Sequence, residues 1–368
     1  MSTITIAGRI LTPDGVMRGR LRCAAAIRAI EPMAAAPEDR FVLPGFTDLH
    51  VHGGHGADVM TGVDAVRRMA RFHARHGTTA LLATTVTAPH DDLRAAFRGI
   101  GAAMATSDPA AARVLGAHLE GPFISPAALG AQPPFAIAPD LDLVDELAAL
   151  APIRVATMAP EMDPDGILLA HFRALGTRAQ IGHTACSYAQ AKAALAAGAT
   201  GFTHLFNAMS GLHHRRPGAV GAALAHGKWA ELILDFVHME DGAARVALRA
   251  MPRVYCITDA VAAAGMPPGE YRLGQHLVFK QGDAVRLADG TLAGSVLTMV
   301  RALRNLLHLG VPLEQAARRC ATLQADYLGL EDRGRLVPGA VADIVVVDRA
   351  GRLEAVFVEG RPVPASVD

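Results

Sequence analysis

The stretch FTDLHVHGGHG, residues 46–56, places an aspartate and three histidines among glycines directly behind the apolar run RFVLPG. Side chains two apart on a strand point to the same side, so His50 and His52 project together and their ring nitrogens can chelate one cation. Whether they sit in a catalytic mouth depends on what surrounds this strand.

Seven further apolar segments follow: TTALLATTV, RVLGAHLEG, IRVATMAPE, AQIGHT, GFTHLFNA, LILDFVH and VYCITDA. With FVLPGFTDLHVH they make eight candidate strands. Helical patterns over 63–76, 91–106, 188–197 and 241–250 lie between several of them, with Gly77 and Gly198 as C-terminal stops. Alternation of strands and helices predicts a parallel sheet, and eight units predict an α/β fold of the (β/α)8 TIM-barrel type over 44–330. The chain ends read differently. TITIAGRILTP and GRLRCAAAIRAIEP at one end, and GRLVPGAVADIVVVDRAGRLEAVFVEGRPV at the other, are short strands joined by turns. They predict a small β-sandwich domain built from 1–43 and 331–368.

Composition narrows the function classes. The 368 residues are 51% apolar and 19% charged, with 35 basic and 35 acidic residues and a pI near 7.3. That balance argues against a nucleic-acid or membrane-surface partner. Cys23, Cys186, Cys256 and Cys320 are scattered with no C-x-x-C pair, which argues against a disulfide framework or a thiolate zinc site and fits a reducing cytosol. The opening MSTITIAGRILTPDG alternates like a strand and lacks a leader pattern, and no run nears the ~18 apolar residues of a membrane span. A cytoplasmic location is the expectation.

Active sites of such barrels form where the strands end at their C-terminal face. Strand one ends in His50 and His52, strand three in Glu120, strand five in His183, strand six in His204, strand seven in His238 and strand eight in Asp259. A lone histidine is more often a satisfied core side chain than a ligand, but six strand ends carrying ligand or acid-base types predict a divalent-metal site. His55, His73, His76, His90, His171, His226 and His308 lie in loops or helical patterns and receive no role. Such a hydrolytic site lowers the pKa of bound water and polarises the scissile carbonyl. Some barrels of this kind bridge two cations with a carbamylated lysine at the end of strand four. Here that strand, RVATMAPE, has no lysine, and the chain has only Lys192, Lys228 and Lys280, so the bridge of a two-ion centre falls to Glu120. Asp259 is the natural general base, able to take a proton from water and pass it to a leaving nitrogen.

PGFTDLHVHGGHGADVM, HLEGPFIS, GHT, THLFNAMSGLHHR, TDAVAAAGMPPGEYRLG and LAGSVLTM together resemble the N-acetylglucosamine-6-phosphate deacetylases of the amidohydrolase superfamily, over nearly the whole chain from Pro44 onward. The resemblance implies a barrel with a small β domain, a homodimer, and hydrolysis of the acetamide of an amino-sugar phosphate to acetate and free amine. It implies Glu120, His183 and His204 as metal ligands common to the family, and His50 and His52 as the extra ligands of its two-metal branch. Zinc and iron are the ions in view. Asp259 matches the catalytic aspartate and His238 the histidine that polarises the acetyl carbonyl. Asn207, Ala208 and Arg215 match substrate-phosphate contacts, His214 and Arg215 reaching in from the other subunit.

Four departures stand out. Arg216 replaces the Glu of HHREPG, Gln132 in GAQPP replaces a His in contact with sugar or acetyl, DFVH replaces DG-x-H, and ATLQA replaces a motif ending in NPA. The galactosamine epimer is the nearest alternative substrate, since one loop side chain can read a single hydroxyl inversion. A cyclic-amide hydrolase is disfavoured by the missing strand-four lysine and by HHRR. A non-catalytic scaffold is disfavoured by the intact strand-end groups.

Overall fold

The computed structural model describes residues 3–364. Residues 1, 2 and 365–368 of the two terminal segments lie outside the described residues. Eight parallel strands run in chain order around one sheet: Phe46–Val51, Thr78–Thr85, Arg113–Glu120, Ile153–Met158, Arg178–Ile181, Gly201–Phe202, Trp229–Ile233 and Arg253–Ile257. They are called barrel strands one to eight below. Strands one and two are buried at every position, as parallel strands sandwiched between a barrel interior and an outer helical layer must be.

The outer helices follow from local signals. Tyr188–Ala197 starts at Ser187 and Gln190, which form a reciprocal capping box, and stops at Gly198 in the left-handed region at φ +116°. Tyr188–Ala197 and Asp241–Ala250 occupy the expected spans, whereas Val63–Ala74 and His90–Met104 each end two residues early.

The barrel closes between strands one and eight without a long ladder. Val51 bridges Ala260, the Asp259 and His52 amides donate to the His50 and Ala260 carbonyls at 2.8 and 2.9 Å, and the Asp48 carboxylate accepts from the Thr258 amide at 3.2 Å and its hydroxyl at 2.6 Å. Asp48 therefore acts as a side-chain stitch that sets strand one against strand eight just where both carry functional groups.

The two chain ends share one seven-stranded sheet, Ile4–Thr12, Gly15–Cys23, Ile27–Pro32 and Arg40–Pro44 from the first end and Ile344–Asp348, Leu353–Val358 and Arg361–Pro362 from the second. Its own core includes Ile10, Leu21, Val42, Leu336 and Ile344. The segment expected as a single strand, FVLPGFTDLHVH, is thus split: Arg40–Pro44 pairs with Ile344–Asp348 in this sheet, and the barrel strand begins after Gly45. Gly45 has to be glycine because a Cβ there would lie 2.3 Å from Thr79 Oγ1 and 2.4 Å from Thr79 Cγ2. Gly45→Ala is expected to lower unfolding stability by about 1–3 kcal/mol, the usual cost of overpacking; an unchanged denaturant midpoint would contradict this account of the junction.

A four-stranded antiparallel sheet, Gly269–Leu273, His276–Gln281, Ala284–Arg286 and Leu292–Ser295, follows strand eight. It has its own apolar cluster, including Val261, Leu273, Val278 and Val285. The alternation in EYRL and HLVFK, with turns at Gly274 and Gly282, carries the signal for this sheet, which lies outside the eight expected strands. Its last strand docks on the active face through the Ser295 amide, which donates to the Asp259 carbonyl at 2.8 Å.

Candidate metal centre and active site

The strand-end residues converge. Glu120 Oε1 lies 3.2 Å from His183 Nε2, 3.0 Å from His204 Nε2 and 3.3 Å from His50 Nε2, while its Oε2 lies 3.2 Å from His52 Nε2. Asp259 Oδ1 is 3.1 Å from His52 Nε2 and 3.4 Å from His50 Nε2. Two ligand triads result, His50, His52 and Asp259 in one and Glu120, His183 and His204 in the other, and the Glu120 carboxylate spans both. All six residues are buried.

Backbone conformation aims these groups. His183, His204 and Asp259 take φ of +45°, +27° and +50°, left-handed values that side-chain-bearing residues adopt at a cost of order 1–3 kcal/mol each. Each lies just past its strand, where one reversed residue turns the side chain over the barrel mouth. His238 is placed differently from the expectation. Strand seven is Trp229–Ile233, which takes in only the first two residues of LILDFVH, and His238 lies beyond it in a loop pinned by Asp235, which accepts from His238 Nδ1 at 2.7 Å and from the His238 amide at 2.8 Å. Phe236 in that loop has φ +61°, which explains why a glycine suits the position it replaces.

The ring tautomers identify what the cluster is for. His52 Nδ1 faces the Thr84 carbonyl at 3.2 Å, His183 Nδ1 the Ala128 carbonyl at 3.0 Å, and His50 Nδ1 the Glu231 carboxylate at 3.0 Å. An acceptor opposite Nδ1 keeps the proton there and leaves a lone pair on Nε2. Yet the Nε2 atoms of His50 and His52 are 3.2 Å apart, and those of His183 and His204 3.0 Å. The facing lone pairs of His50 and His52 beside two carboxylates repel unless a cation or extra protons lie among them, so this donor set fits divalent metal.

The electrostatics agree. Burial disfavours charge on His52, but Asp259 and Glu120 outweigh it and raise its pKa to about 9; His50 is likewise raised well above its ordinary value, by Glu120, Asp259 and Glu231 against burial. Burial pushes the Asp259 and Glu120 carboxyls up, but the histidines prevail, holding Asp259 at about 2 and Glu120 well below the carboxylate range. Protons on these histidines and a cation among them would balance the same carboxylates. A divalent metal would have to displace those protons, so its affinity is expected to rise with pH.

A cavity of about 200 Å³ opens over the cluster, bordered by His52, Glu120, His183, His204 and Asp259, by Gln132, Asn207, Ala208 and His238, and by Leu292 and Gly294 of the four-stranded sheet with Thr291 just before them. Gln132 is not idle there: its carbonyl accepts from the Thr87 amide at 2.7 Å and its NH2 donates to Glu120 Oε2 at 2.5 Å. His214 and Arg215 do not border the cavity. They sit on an exposed arm that leaves it, and Arg215 lines a separate groove with Tyr188, Ser210 and Arg216. Gln324 of the ATLQA departure does not border the cavity and donates to the Cys256 carbonyl of strand eight at 2.8 Å. The sequence reading missed Asp48, Thr84, Asp235 and Glu231. Glu231 had a signal, an acid within the otherwise apolar run WAELIL, since such residues are almost never fully buried without a partner.

Comparison with known proteins places this geometry. The profile of the amidohydrolase family matches residues 41–363. N-acetylgalactosamine-6-phosphate deacetylase of Escherichia coli O157:H7 is 37% identical over 98% of this chain and 99% of its own length, and N-acetylglucosamine-6-phosphate deacetylase of Lysinibacillus sphaericus is 38% identical over 88% of this chain and 85% of its own. A solved mutant of N-acetyl-D-glucosamine-6-phosphate deacetylase from Mycobacterium smegmatis, in complex with N-acetyl-D-glucosamine-6-phosphate, superposes with a TM-score of 0.91 at 33% identity, covering 100% of both chains. The chain belongs to the amidohydrolase family, in the group of the N-acetylglucosamine-6-phosphate deacetylases.

Proposed function

We propose that this protein is a metal-dependent deacetylase that hydrolyses the N-acetyl group of N-acetylglucosamine 6-phosphate to glucosamine 6-phosphate and acetate. The observation that carries the reading is the convergence of two histidine-carboxylate triads around Glu120 at the floor of one cavity. His50, His52 and Asp259 would hold one ion, His183 and His204 the other, with Glu120 between them; zinc and iron(II) both suit nitrogen and carboxylate donors. A bound divalent cation supplies Lewis acidity and a water of lowered pKa. The chain's own groups do the rest. Asp259 takes the proton of the attacking water and delivers it to the leaving nitrogen, and His238 stabilises charge developing on the acetyl oxygen. Asn207 and Ala208 border the cavity where the phosphorylated sugar enters, and Gln132 supports Glu120 from the same wall.

The enzyme works as a homodimer in the cytoplasm, with His214 and Arg215 of one subunit completing the phosphate site of the other. The exposed arm over 211–216, which leaves the cavity of its own subunit and carries Leu212 at 59% exposure, supports this reading. Arg215 offers a planar guanidinium that grips phosphate oxygens in bidentate fashion. Such charge-assisted bonds contribute roughly 1.5–3 kcal/mol, so Arg215→Ala is expected to weaken use of the phosphorylated substrate about tenfold or more and to leave a non-phosphorylated acetylamino sugar nearly unchanged. Equal loss on both substrates would assign Arg215 a structural role.

The E. coli relative acts, by its name, on the galactosamine epimer and aligns over 99% of its length, which favours that sugar as the second reading. The test of the proposal is metal analysis of the purified protein with acetate release measured on both epimers. No acetate from either would refute deacetylation of these sugars, and faster release from the galactosamine epimer would establish the second reading.

A further inference from the structure

Beneath the ligand cluster, where such barrels ordinarily carry branched apolar side chains, strands three to eight each contribute a polar one, from the strand itself or, for strand six, from the residue directly after it. His118, Thr157, Gln180, Thr203, Glu231 and Tyr255 are all exposed by 1% or less. They form one hydrogen-bonded belt: His118 Nε2 to Thr157 Oγ1 at 2.8 Å, Thr157 to Thr203 at 2.8 Å, Thr203 to Gln180 Oε1 at 2.9 Å, Gln180 Nε2 to the Tyr255 hydroxyl at 2.9 Å, and that hydroxyl to Glu231 Oε1 at 3.4 Å. His118 Nδ1 donates to the Leu49 carbonyl at 3.0 Å, so both its nitrogens are engaged within the protein. Although His50, His118 and Glu231 lie close enough to resemble a third metal triad, His118 has no lone pair to spare for one.

Glu231 is the member of this belt that needs explaining. A fully buried carboxylate costs several kcal/mol unless it is paired, and no Lys or Arg pairs with Glu231 among the described residues. Its Oε2 instead accepts His50 Nδ1–H at 3.0 Å and the backbone N–H of His204 at 3.2 Å. One oxygen thus holds a ligand from each triad, while the other oxygen is anchored to the belt.

We infer that Glu231 is a positioning residue of the metal centre, whose Oε2 fixes the His50 ring in the Nδ1–H form, leaving its Nε2 lone pair for a cation, and seats the backbone of His204 through its N–H. The inference rests on the two-ion reading above. A residue in this outer position that orients a metal-bound histidine typically changes metal affinity 10- to 100-fold when removed.

The experiment titrates zinc(II) into metal-free protein by calorimetry and records the imidazole ¹⁵N–¹H spectrum of the same samples. Glu231→Gln, which preserves shape but removes the charge, is expected to bind zinc 10- to 100-fold more weakly than the unaltered protein and to lose or shift the His50 Nδ1–H resonance. Tyr255→Phe, which removes the 3.4 Å bond to the other oxygen and the bond from Gln180 but leaves the Oε2 contacts in place, is expected to bind zinc as the unaltered protein does. Unchanged affinity and an unmoved His50 resonance in folded Glu231→Gln would overturn the inference. If Glu231→Gln does not fold, Glu231→Asp decides: it keeps the charge but withdraws it, and zinc affinity equal to that of the unaltered protein would overturn the inference just as firmly. Failure of the unaltered protein to bind zinc would instead refute the metal reading itself, so the two failures are distinguishable.

Discussion

Asp259→Asn is expected to leave the fold and the cation content in place while cutting turnover about 10²- to 10⁴-fold, the loss typical of one general acid-base group. The carboxylate borders the cavity and lies within 3.1 Å of His52 Nε2, so it adjoins both the metal ligands and the space a substrate would fill. Burial would raise its pKa, but His50 and His52 hold it at about 2, and it is therefore ionised and able to accept a proton throughout the neutral range. An amide has nearly the same shape and can still offer an oxygen to a cation, but it cannot take up and return a proton. The measurement is kcat under saturating substrate, with metal content determined on the same sample. Near-normal turnover in fully metallated Asp259→Asn would remove Asp259 from the mechanism.

His238→Asn is expected to cost about 10²- to 10³-fold in kcat, the scale on which single donors to a developing oxyanion act. The structure adds a condition that the sequence reading did not contain. Because Nδ1–H already donates to Asp235 at 2.7 Å, His238 can donate from Nε2 only in its doubly protonated form. Burial opposes that charge, yet the hydrogen bond and charge of Asp235, with a further contribution from Asp259, raise the pKa above its ordinary value. The sign follows: the protonated donor is present below the raised pKa and is lost as pH rises through it. Removing the carboxylate lowers that pKa, so Asp235→Asn is expected to move the alkaline limb of kcat/KM to lower pH and to reduce kcat less than His238→Asn does. An alkaline limb that stays in place in Asp235→Asn would mean that His238 acts in its neutral form or not at all.

Much of this protein was written in local pattern. Eight apolar segments, a reciprocal cap at Ser187 and Gln190, and a glycine stop at Gly198 could be read because each depends on neighbours a few residues away. The strand-end histidines and acids were visible for the same reason, since a barrel collects the C-terminal ends of its strands at one face whatever the details of its packing. Local pattern failed where a residue's role depends on a distant partner. It did not split FVLPG from FTDLHVH, because the pairing of Arg40–Pro44 with Ile344–Asp348 joins positions about three hundred residues apart. It placed strand seven over LILDFVH, whereas the ladder to Arg253–Ile257 selects Trp229–Ile233 and leaves His238 to a loop held by Asp235.

The chemical identity of the site, histidines and carboxylates at strand ends, was thus determined by the sequence alone. Which nitrogen of these rings faces into the cluster was decided only by tertiary structure, through Thr84, Ala128 and Glu231 on the opposite side of His52, His183 and His50. The same holds for Asp48, which joins strand one to Thr258 across 210 residues, and for Glu231, which reaches His50 across 181. The physical reason is that a proton's position on an imidazole, and the cost of a buried carboxylate, depend on partners a few ångströms away in space, and only the closed barrel brings those partners into place.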